Sequence, residues 1–357
     1  MAQALQANLR DNRVNWVDYA KGICIVLVVM MHTTLGVEKA AGFESWLHPF
    51  ITWAKPFRMP DFFLISGLFL ASRINRPWRE YFDAKVLHFL YFYILWMTIQ
   101  AVTKGYGVYQ ASGATGVLSD YAMGFVEPFG TLWFIYILAI FFVVVKLTKR
   151  VPALLMFAAG AALEIAPIET HHLVVDEFAS RFVYFYAGYW LAPYVFTFAA
   201  KMGRLNTAGL FSALVIWGFG NAHLVAHGNA ELPFVSLPLG FIGASAVISA
   251  GVLLSKLNFA RPLRYAGENS IVIYLAFFLF MAGARTVLLR SGLIADLGLI
   301  SLIVTAFGVI GPVLLFWATR NTKLSLLFRR PSWARLETRQ ARWHSPIHVA
   351  FPKPQAR

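Results

Sequence analysis

Three ionisable side chains interrupt the first long apolar stretch of the sequence. Residues 15–35 have the length of a membrane span, yet they include Asp18, Lys21 and His32. At 100° per residue, the eleven steps from Lys21 to His32 return the side chain to within about 20° of the same direction, and Asp18 lies about 60° away. The three side chains therefore share one helix face, on which roughly 16 Å of helix rise separates the lysine from the histidine.

This face predicts chemistry rather than packing. A charged side chain within a spanning helix is costly unless it faces protein or a wet cavity, so its default interpretation is a functional pathway. The alternative is a surface ion pair of Asp18 and Lys21 at the membrane edge, with His32 capping the far end of the helix.

A second apolar segment, residues 55–73, carries Arg58 and Asp61 and has prolines at positions 56 and 60. Because proline is tolerated at the first helical position, we expect the helix to start at Pro60. Asp61 then lies in the first turn, where the helix dipole favours an anion, with Arg58 as its local partner. The alternative is broken backbone that lines a cavity at membrane depth, which would bring both charges to a substrate.

A basic cluster follows this segment and consists of Arg73, Arg76, Arg79 and Lys85. Guanidinium groups bind phosphates bidentately, so the cluster predicts a site for a polyanionic molecule that approaches from the cytoplasm. The alternative is ordinary charge that only sets the membrane topology.

Composition excludes a soluble globular protein. The 357 residues are 59% hydrophobic and 13% charged, with a mean hydropathy of +0.62. The net charge of +14 does not predict a nucleic-acid partner, because the basic residues lie in short clusters between apolar spans. These clusters suit a lipid bilayer surface. Cys24 is the single cysteine, which excludes an internal disulfide, and no metal site is predicted.

Ten apolar segments have the length that a bilayer requires of helices. They lie at residues 17–36, 49–72, 84–104, 130–147, 151–167, 178–200, 206–226, 232–255, 268–290 and 293–319. Alternate connections, together with both terminal segments, carry 24 of the 31 basic residues. The sequence therefore predicts an all-α polytopic membrane protein with both termini in the cytoplasm. Residues 1–319 form one transmembrane domain, and residues 320–357 form a loose basic tail held against anionic lipid.

Five motifs resemble those of the membrane acyltransferase-3 family, in which a basic residue of the first helix is followed eleven positions later by histidine. The matches, in the family's order, are Asp18 with Lys21, Gly22 and His32; Arg58-Met59-Pro60 with Phe62-Phe63-Leu64-Ile65-Ser66-Gly67; Arg73 and Arg76; Thr131-Leu132-Trp133-Phe134; and Gly267-Glu268-Asn269-Ser270 with Tyr274-Leu275. The sequence departs from the pattern in two places. Phe277 and Phe278 stand where the family often has histidine, and Asp61 stands where an apolar residue is usual.

The resemblance implies an O-acyltransferase of the bacterial inner membrane. It would move an acyl group, with acetyl favoured, from cytoplasmic acyl-CoA to a hydroxyl of a cell-surface or periplasmic carbohydrate, with no bound cofactor. His32 would act as general base or first accept the acyl group itself, assisted by Asp18 and Lys21.

The basic cluster, the charged second segment and the family motifs together predict further contacts with the two substrates. The donor site would consist of Lys21, Arg73, Arg76 and Arg79, which would hold the phosphates of CoA. The remaining substrate contacts would come from Arg58, Asp61, Ser66, Trp133 and Tyr274.

A secondary transporter or a polysaccharide-export component is the alternative, because such proteins also combine about ten spans with broken helices and buried charge. No inverted repeat is visible in the sequence, and its basic cluster lies at the cytoplasmic mouth instead of the midplane. Both observations favour the enzyme.

Overall fold

The computed structural model describes residues 14–128 and 130–336, and every regular element in these ranges is a helix. The helices are α1 (Asn15–Ala41), α2 (His48–Trp53), α3 (Lys55–Gly67), α4 (Trp78–Phe82), α5 (His88–Met123), α6 (Trp133–Leu147), α7 (Ala153–Ile165), α8 (Leu173–Trp190), α9 (Ala192–Arg204), α10 (Thr207–Ala226), α11 (Ser236–Leu257), α12 (Arg261–Glu268), α13 (Ser270–Ser291) and α14 (Leu297–Thr319). A π-helical turn, Asp83–Leu87, joins α4 to α5.

The predicted all-α membrane class is confirmed, with seven helical segments in the described residues long and apolar enough to cross a membrane. They are Asn15–Ala41, Trp78–Met123, Gly130–Leu147, Thr207–Ala226, Ser236–Leu257, Ser270–Ser291 and Leu297–Thr319. The other three predicted spans are shorter or broken helices. Residues 151–167 contain only the 13 residues of α7. Residues 49–72 are divided into two helices at Ala54, and residues 178–200 are divided into two helices at Leu191.

The prediction that a helix starts at Pro60 is wrong. Helix α3 begins at Lys55 with Pro56 in its first turn, and Pro60 lies inside it. The first turn tolerates proline because its N–H groups have no intrahelical partner, so Pro56 rather than Pro60 marks the start. Asp61 consequently lies in the middle of α3, away from the favourable end of the helix dipole.

Helix α1 lies at the centre of the fold, packed against α3 and α11 to α14. Its contact with α12 is a direct backbone approach at two glycines. A Cβ at Gly22 would lie 2.1 Å from the carbonyl oxygen of Leu263, and one at Gly267 would lie 1.7 Å from that of Asp18. No larger residue fits at either position without separating the helices. This contact fixes the rotation of α1, and with it the directions of Lys21 and His32.

The predicted tail is not loose in its described part. Trp96 donates its indole N–H to the carbonyl of Leu327 at 2.9 Å. Arg330 and Asp83, which are 6% and 3% exposed, form a buried ion pair with 2.5 Å between Nη2 and Oδ2. The expectation of a loose tail is therefore wrong for residues 320–336, because a buried carboxylate anchors this stretch to the π-helical turn. Residues 337–357 lie outside the described residues.

Candidate functional site

His32 lines a cavity of about 230 Å³ at the contact of α1, α3, α8 and α13, which we term the histidine cavity. Its other lining residues are Val28, Met31, Lys55, Arg58, Met59, Phe62, Thr131, Trp133, Phe134, Glu177, Arg181 and Tyr274. The structure thus gathers four of the residues predicted from the sequence around one space: His32, Arg58, Trp133 and Tyr274.

The His32 imidazole ring is held by packing. It lies against Phe277, with 5.4 Å between the ring centroids. In residues 14–128 and 130–336, neither ring nitrogen has a hydrogen-bond partner from the protein. Both nitrogens are therefore available to a molecule in the histidine cavity. Phe277, one of the two departures from the family pattern, occupies the position that touches the histidine.

Arg58 is the most deeply buried cation of the histidine cavity, with 8% of its surface exposed. Its Nη1 donates to the carbonyl of Ile51 at 3.2 Å, whereas its buried Nε has no partner in the described part of the chain. It also lies within electrostatic reach of His32. Because a guanidinium has five N–H donors, Arg58 keeps donors for a ligand.

The histidine cavity carries an excess of positive charge. Lys55, Arg58 and Arg181 line it together with a single carboxylate, that of Glu177. Arg181 and Glu177 form an ion pair, with 3.1 Å between Nε and Oε2. This surplus favours a ligand that carries or develops negative charge, such as the oxyanion formed when a hydroxyl attacks an acyl carbonyl.

Lys21 lines a second, smaller cavity of about 130 Å³, which we term the lysine cavity. Ser66 and Tyr274 also line it, so two other residues predicted from the sequence lie with Lys21 in this cavity. Tyr274 thus lines both cavities. The Ser66 hydroxyl donates to the carbonyl of Phe62 at 2.7 Å. Lys21 additionally lies over the ring of Phe69, 5.8 Å from its centroid.

Three aromatic side chains line both cavities: Phe62, Phe134 and Tyr274. We term them the aromatic partition. The ring of Phe134 lies 4.6 Å from Phe62 and 5.6 Å from Tyr274, measured between centroids. The Tyr274 hydroxyl donates to the Thr131 carbonyl at 2.5 Å and accepts the N–H of Phe134 at 3.1 Å. The two cavities are therefore neighbours along α1, with the aromatic partition as their common wall.

The turn after α3 carries Arg73 and Arg76, both partly exposed. Lys146, which is 3% exposed, donates to the carbonyl of Arg76 at 2.7 Å and also to that of Ile74. Lys85 lies within electrostatic reach of Arg73, Arg76 and Lys21. These cations form a common basic zone, and the buried lysine fixes the backbone of its arginine turn.

Arg79 contacts the C-terminal segment. It is exposed, and its Nη2 donates to the carbonyl of Leu336 at 3.0 Å. The predicted set of three arginines is therefore divided, with Arg79 engaged by the C-terminal segment.

Asp18 and Asp61 line neither cavity. Asp18 is buried on α1, where its backbone meets Gly267 of α12. Asp61 is fully buried, and its Oδ2 accepts a hydrogen bond from the thiol of Cys24. No ion pair joins Asp61 to Arg58 in the described residues, so the prediction that Arg58 is its local partner is wrong. Burial of both carboxylates between helices explains why they do not reach the cavities.

Sequence reasoning missed Lys55, Glu177 and Arg181 as cavity residues. Arg181 had a visible signal, because it lies in a predicted span at residues 178–200 and so met the criterion that singled out Lys21. Lys55 and Glu177 lie at helix starts, where charge is common, and only the packing of α3 against α8 brings them together.

A family model for an acyltransferase domain, that of the acyltransferase-3 family, matches residues 14–319. The chain belongs to this family. The suspected resemblance is therefore confirmed over most of the sequence.

Curated relatives support the same assignment. The chain is 26% identical to the inner membrane protein YcfT of Escherichia coli over 287 residues, covering 72% of this chain and 77% of that one. It is 24% identical to the nodulation protein NolL of Sinorhizobium fredii over 287 residues, or 74% and 77% of the two chains. A NolL protein of Mesorhizobium japonicum is 27% identical over 162 residues, or 44% and 43% of the two chains. No solved structure matches.

Family membership and architecture together define the class of protein. The chain is an acyltransferase of the family that acts on carbohydrate-type acceptors. Its apolar helices and its similarity to YcfT make it a multi-pass protein of the inner membrane, as predicted.

Proposed function

We propose that this acyltransferase moves an acyl group, with acetyl favoured, from cytoplasmic acyl-CoA to a hydroxyl of a carbohydrate at the outer side of the inner membrane. One observation carries the proposal. Lys21 and His32, on one helix, line neighbouring cavities on either side of the aromatic partition. A donor held on the lysine side thus lies close to a base on the histidine side.

The donor side is supported by charge. The lysine cavity lies near the basic zone of Arg73, Arg76 and Lys85. The pyrophosphate and ribose phosphate of CoA are polyanionic, and arginine pairs bidentately with phosphate. By the positive-inside rule this zone faces the cytoplasm, where acyl-CoA is found.

The chemical step assigns one role to each group of the histidine cavity. His32 takes the proton of the carbohydrate hydroxyl as its oxygen forms a bond to the thioester carbonyl carbon. Arg58 stabilises the resulting oxyanion through its guanidinium N–H groups. The intermediate then breaks its C–S bond, and the departing CoA thiolate takes the proton from His32. Trp133 and Tyr274 complete the wall of this cavity around the two reacting groups.

A two-step version keeps the same residues. A nitrogen of His32 first attacks the thioester carbonyl, and the CoA thiolate leaves and takes the proton of the other ring nitrogen. The carbohydrate hydroxyl then displaces the acyl group from the imidazole, and its proton returns to His32. Both versions need the thioester to reach His32 past the aromatic partition. They therefore share the requirement for movement of Phe62, Phe134 or Tyr274.

Ten membrane crossings and cytoplasmic termini belong to this proposal, as does the division into a transmembrane domain (residues 1–319) and a basic cytoplasmic tail (residues 320–357). The family match, which ends at residue 319, supports that boundary. Membership of an acyltransferase family argues against the alternative of a secondary transporter or polysaccharide-export component.

The test compares envelope glycans from cells that carry this chain, cells that lack it, and cells with His32→Gln. We expect glycans from the cells that carry this chain to have the mass of an added acyl group, and glycans from the other two kinds of cells to lack that mass. General-base catalysis contributes about 10²–10⁴-fold, so the variant should fall below detection in such an experiment. Equal membrane levels of the two proteins provide the control, and full acylation with His32→Gln would refute the role of His32.

A further inference from the structure

A third cavity of about 500 Å³ adjoins the histidine cavity, and we term it the polar vestibule. It lies between the start of α3, the end of α7, the middle of α8 and the loop before α11. Its charged and aromatic lining consists of Lys55, Glu164, Glu169, Arg181, Tyr184 and Glu231. It is the largest of the cavities described for this chain.

Lys55 and Arg181 line both the polar vestibule and the histidine cavity. These two residues therefore form the boundary between the two cavities. Each of them also forms an ion pair with a carboxylate of one cavity. Lys55 pairs with Glu231 of the vestibule, and Arg181 pairs with Glu177 of the histidine cavity. The boundary is thus formed by charged side chains rather than by backbone alone, so a ligand in the vestibule can reach toward His32 when these side chains change partners.

The two spaces differ in charge. The histidine cavity has three cations and one carboxylate, whereas the vestibule has three carboxylates and the two shared cations. Glu164 accepts a hydrogen bond from the Tyr184 hydroxyl at 3.3 Å through Oε1. Its buried Oε2 has no hydrogen-bond partner in the described part of the chain. Carboxylate oxygens are hydrogen-bond acceptors for hydroxyl groups, and they repel anionic ligands.

We propose that the polar vestibule binds the carbohydrate acceptor and selects a hydroxyl-rich sugar without acidic groups. This inference rests on the proposed function, because it presupposes a carbohydrate acceptor for the hydroxyl that His32 activates. The side of the membrane on which the vestibule lies supports the proposal. The vestibule lies at the end of α7 and in the loop between α10 and α11, opposite the basic connections 146–150 and 201–204. That side is the outer side under the positive-inside rule.

The first test measures binding without acyl transfer. Ser180 lines the vestibule and donates to the Asp176 carbonyl at 2.9 Å, so Ser180→Cys is a small change. Ser291→Cys is the matched control, since Ser291 is exposed at the end of α13 away from the vestibule. The native Cys24 is buried and hydrogen-bonded to Asp61, which keeps the background labelling of the native thiol low.

Both variants are labelled with a membrane-impermeant methanethiosulfonate in the presence of envelope glycans from cells that lack this chain, separated into neutral and acidic fractions. We expect the neutral fraction to slow labelling of Ser180→Cys at least fivefold, the acidic fraction to have no effect, and Ser291→Cys to label at an unchanged rate. Protection by neither fraction, or by the acidic one, would overturn the proposal. Because labelling does not require turnover, this outcome is independent of the His32 test.

The second test uses the vestibule carboxylate with an unpaired oxygen. Glu164→Gln keeps the size of the side chain and its bond with Tyr184, and it removes the charge. We expect the KM for the glycan to rise about tenfold while the KM for acetyl-CoA stays unchanged. A parallel rise of both constants, or no change in either, would contradict an acceptor role for the vestibule.

Discussion

Arg58 is the residue whose setting is hardest to explain by packing. Its guanidinium donates to one backbone carbonyl through Nη1, whereas its buried Nε has no partner among the described residues, which costs stability. The histidine cavity offers a reason, because an oxyanion that develops beside His32 would find a preorganised cation there. The same reasoning does not extend to Asp61, whose contact with Cys24 holds it between α1 and α3.

Lys21 and Asp18 can be distinguished because only the lysine lines a cavity. If Lys21 serves the donor, Lys21→Met should raise the KM for acyl-CoA strongly, Lys21→Arg should keep partial activity, and Asp18→Asn should be mild. The measurement is acyl-CoA binding and glycan acylation in each variant. If Lys21 instead only balances Asp18, the double variant Lys21→Met with Asp18→Asn should recover activity. Full activity of Lys21→Met alone would contradict both versions.

The turn between α3 and α4 is held by hydrogen bonds from a lysine of α6. Lys146 lies at the basic connection between α6 and α7, and its buried ammonium donates to the carbonyls of Ile74 and Arg76. Hydrogen bonds to a charged group contribute about 1.5–3 kcal/mol each, enough to hold a short turn in one conformation. Lys146 therefore positions Arg73 and Arg76 without touching the donor itself.

Lys146→Met should release this turn and raise the KM for acyl-CoA by about tenfold, which corresponds to about 1.4 kcal/mol. The turnover number should change much less, because the histidine cavity is untouched. Lys149→Met is the matched control, since Lys149 lies in the same basic connection but is exposed. If Lys146 supplied only topology charge, the two variants would have equal donor kinetics.

Much of α1 could be predicted from the sequence because a helix has a fixed angular period. The shared face of Lys21 and His32 follows from their spacing alone, and each residue lines a cavity. The start of α3 could not be predicted with the same rule, because Pro56 and Pro60 are both compatible with a first turn. In the folded protein, Pro56 lies in the first turn and Pro60 lies inside the helix.

The cavities themselves depend on contacts between distant segments. Lys55, Glu177 and Arg181 come from α3 and α8, and nothing local in their sequences indicates that these helices pack together. The ion pair of Asp83 with Arg330 is equally non-local, since 247 positions separate the partners. Charge periodicity therefore predicts which face of a helix is functional, but not which other helix faces it.

At the scale of the whole molecule, the three cavities form a series. The lysine cavity, the histidine cavity and the polar vestibule each share lining residues with the next. The basic connections lie at the first end of this series, and the acidic residues Glu164, Glu169 and Glu231 lie at the other. Such an order suits a reaction whose two substrates approach from opposite sides of a membrane.

In the proposed reaction, the acyl group crosses the membrane within this one chain. The most direct measurement uses proteoliposomes with the purified protein in a single orientation, labelled acetyl-CoA on one side and neutral envelope glycan on the other. We predict labelled glycan only when acetyl-CoA is on the side of the basic connections and the glycan is opposite, and none with His32→Gln. Transfer that requires both substrates on the same side, or that persists with His32→Gln, would contradict the account.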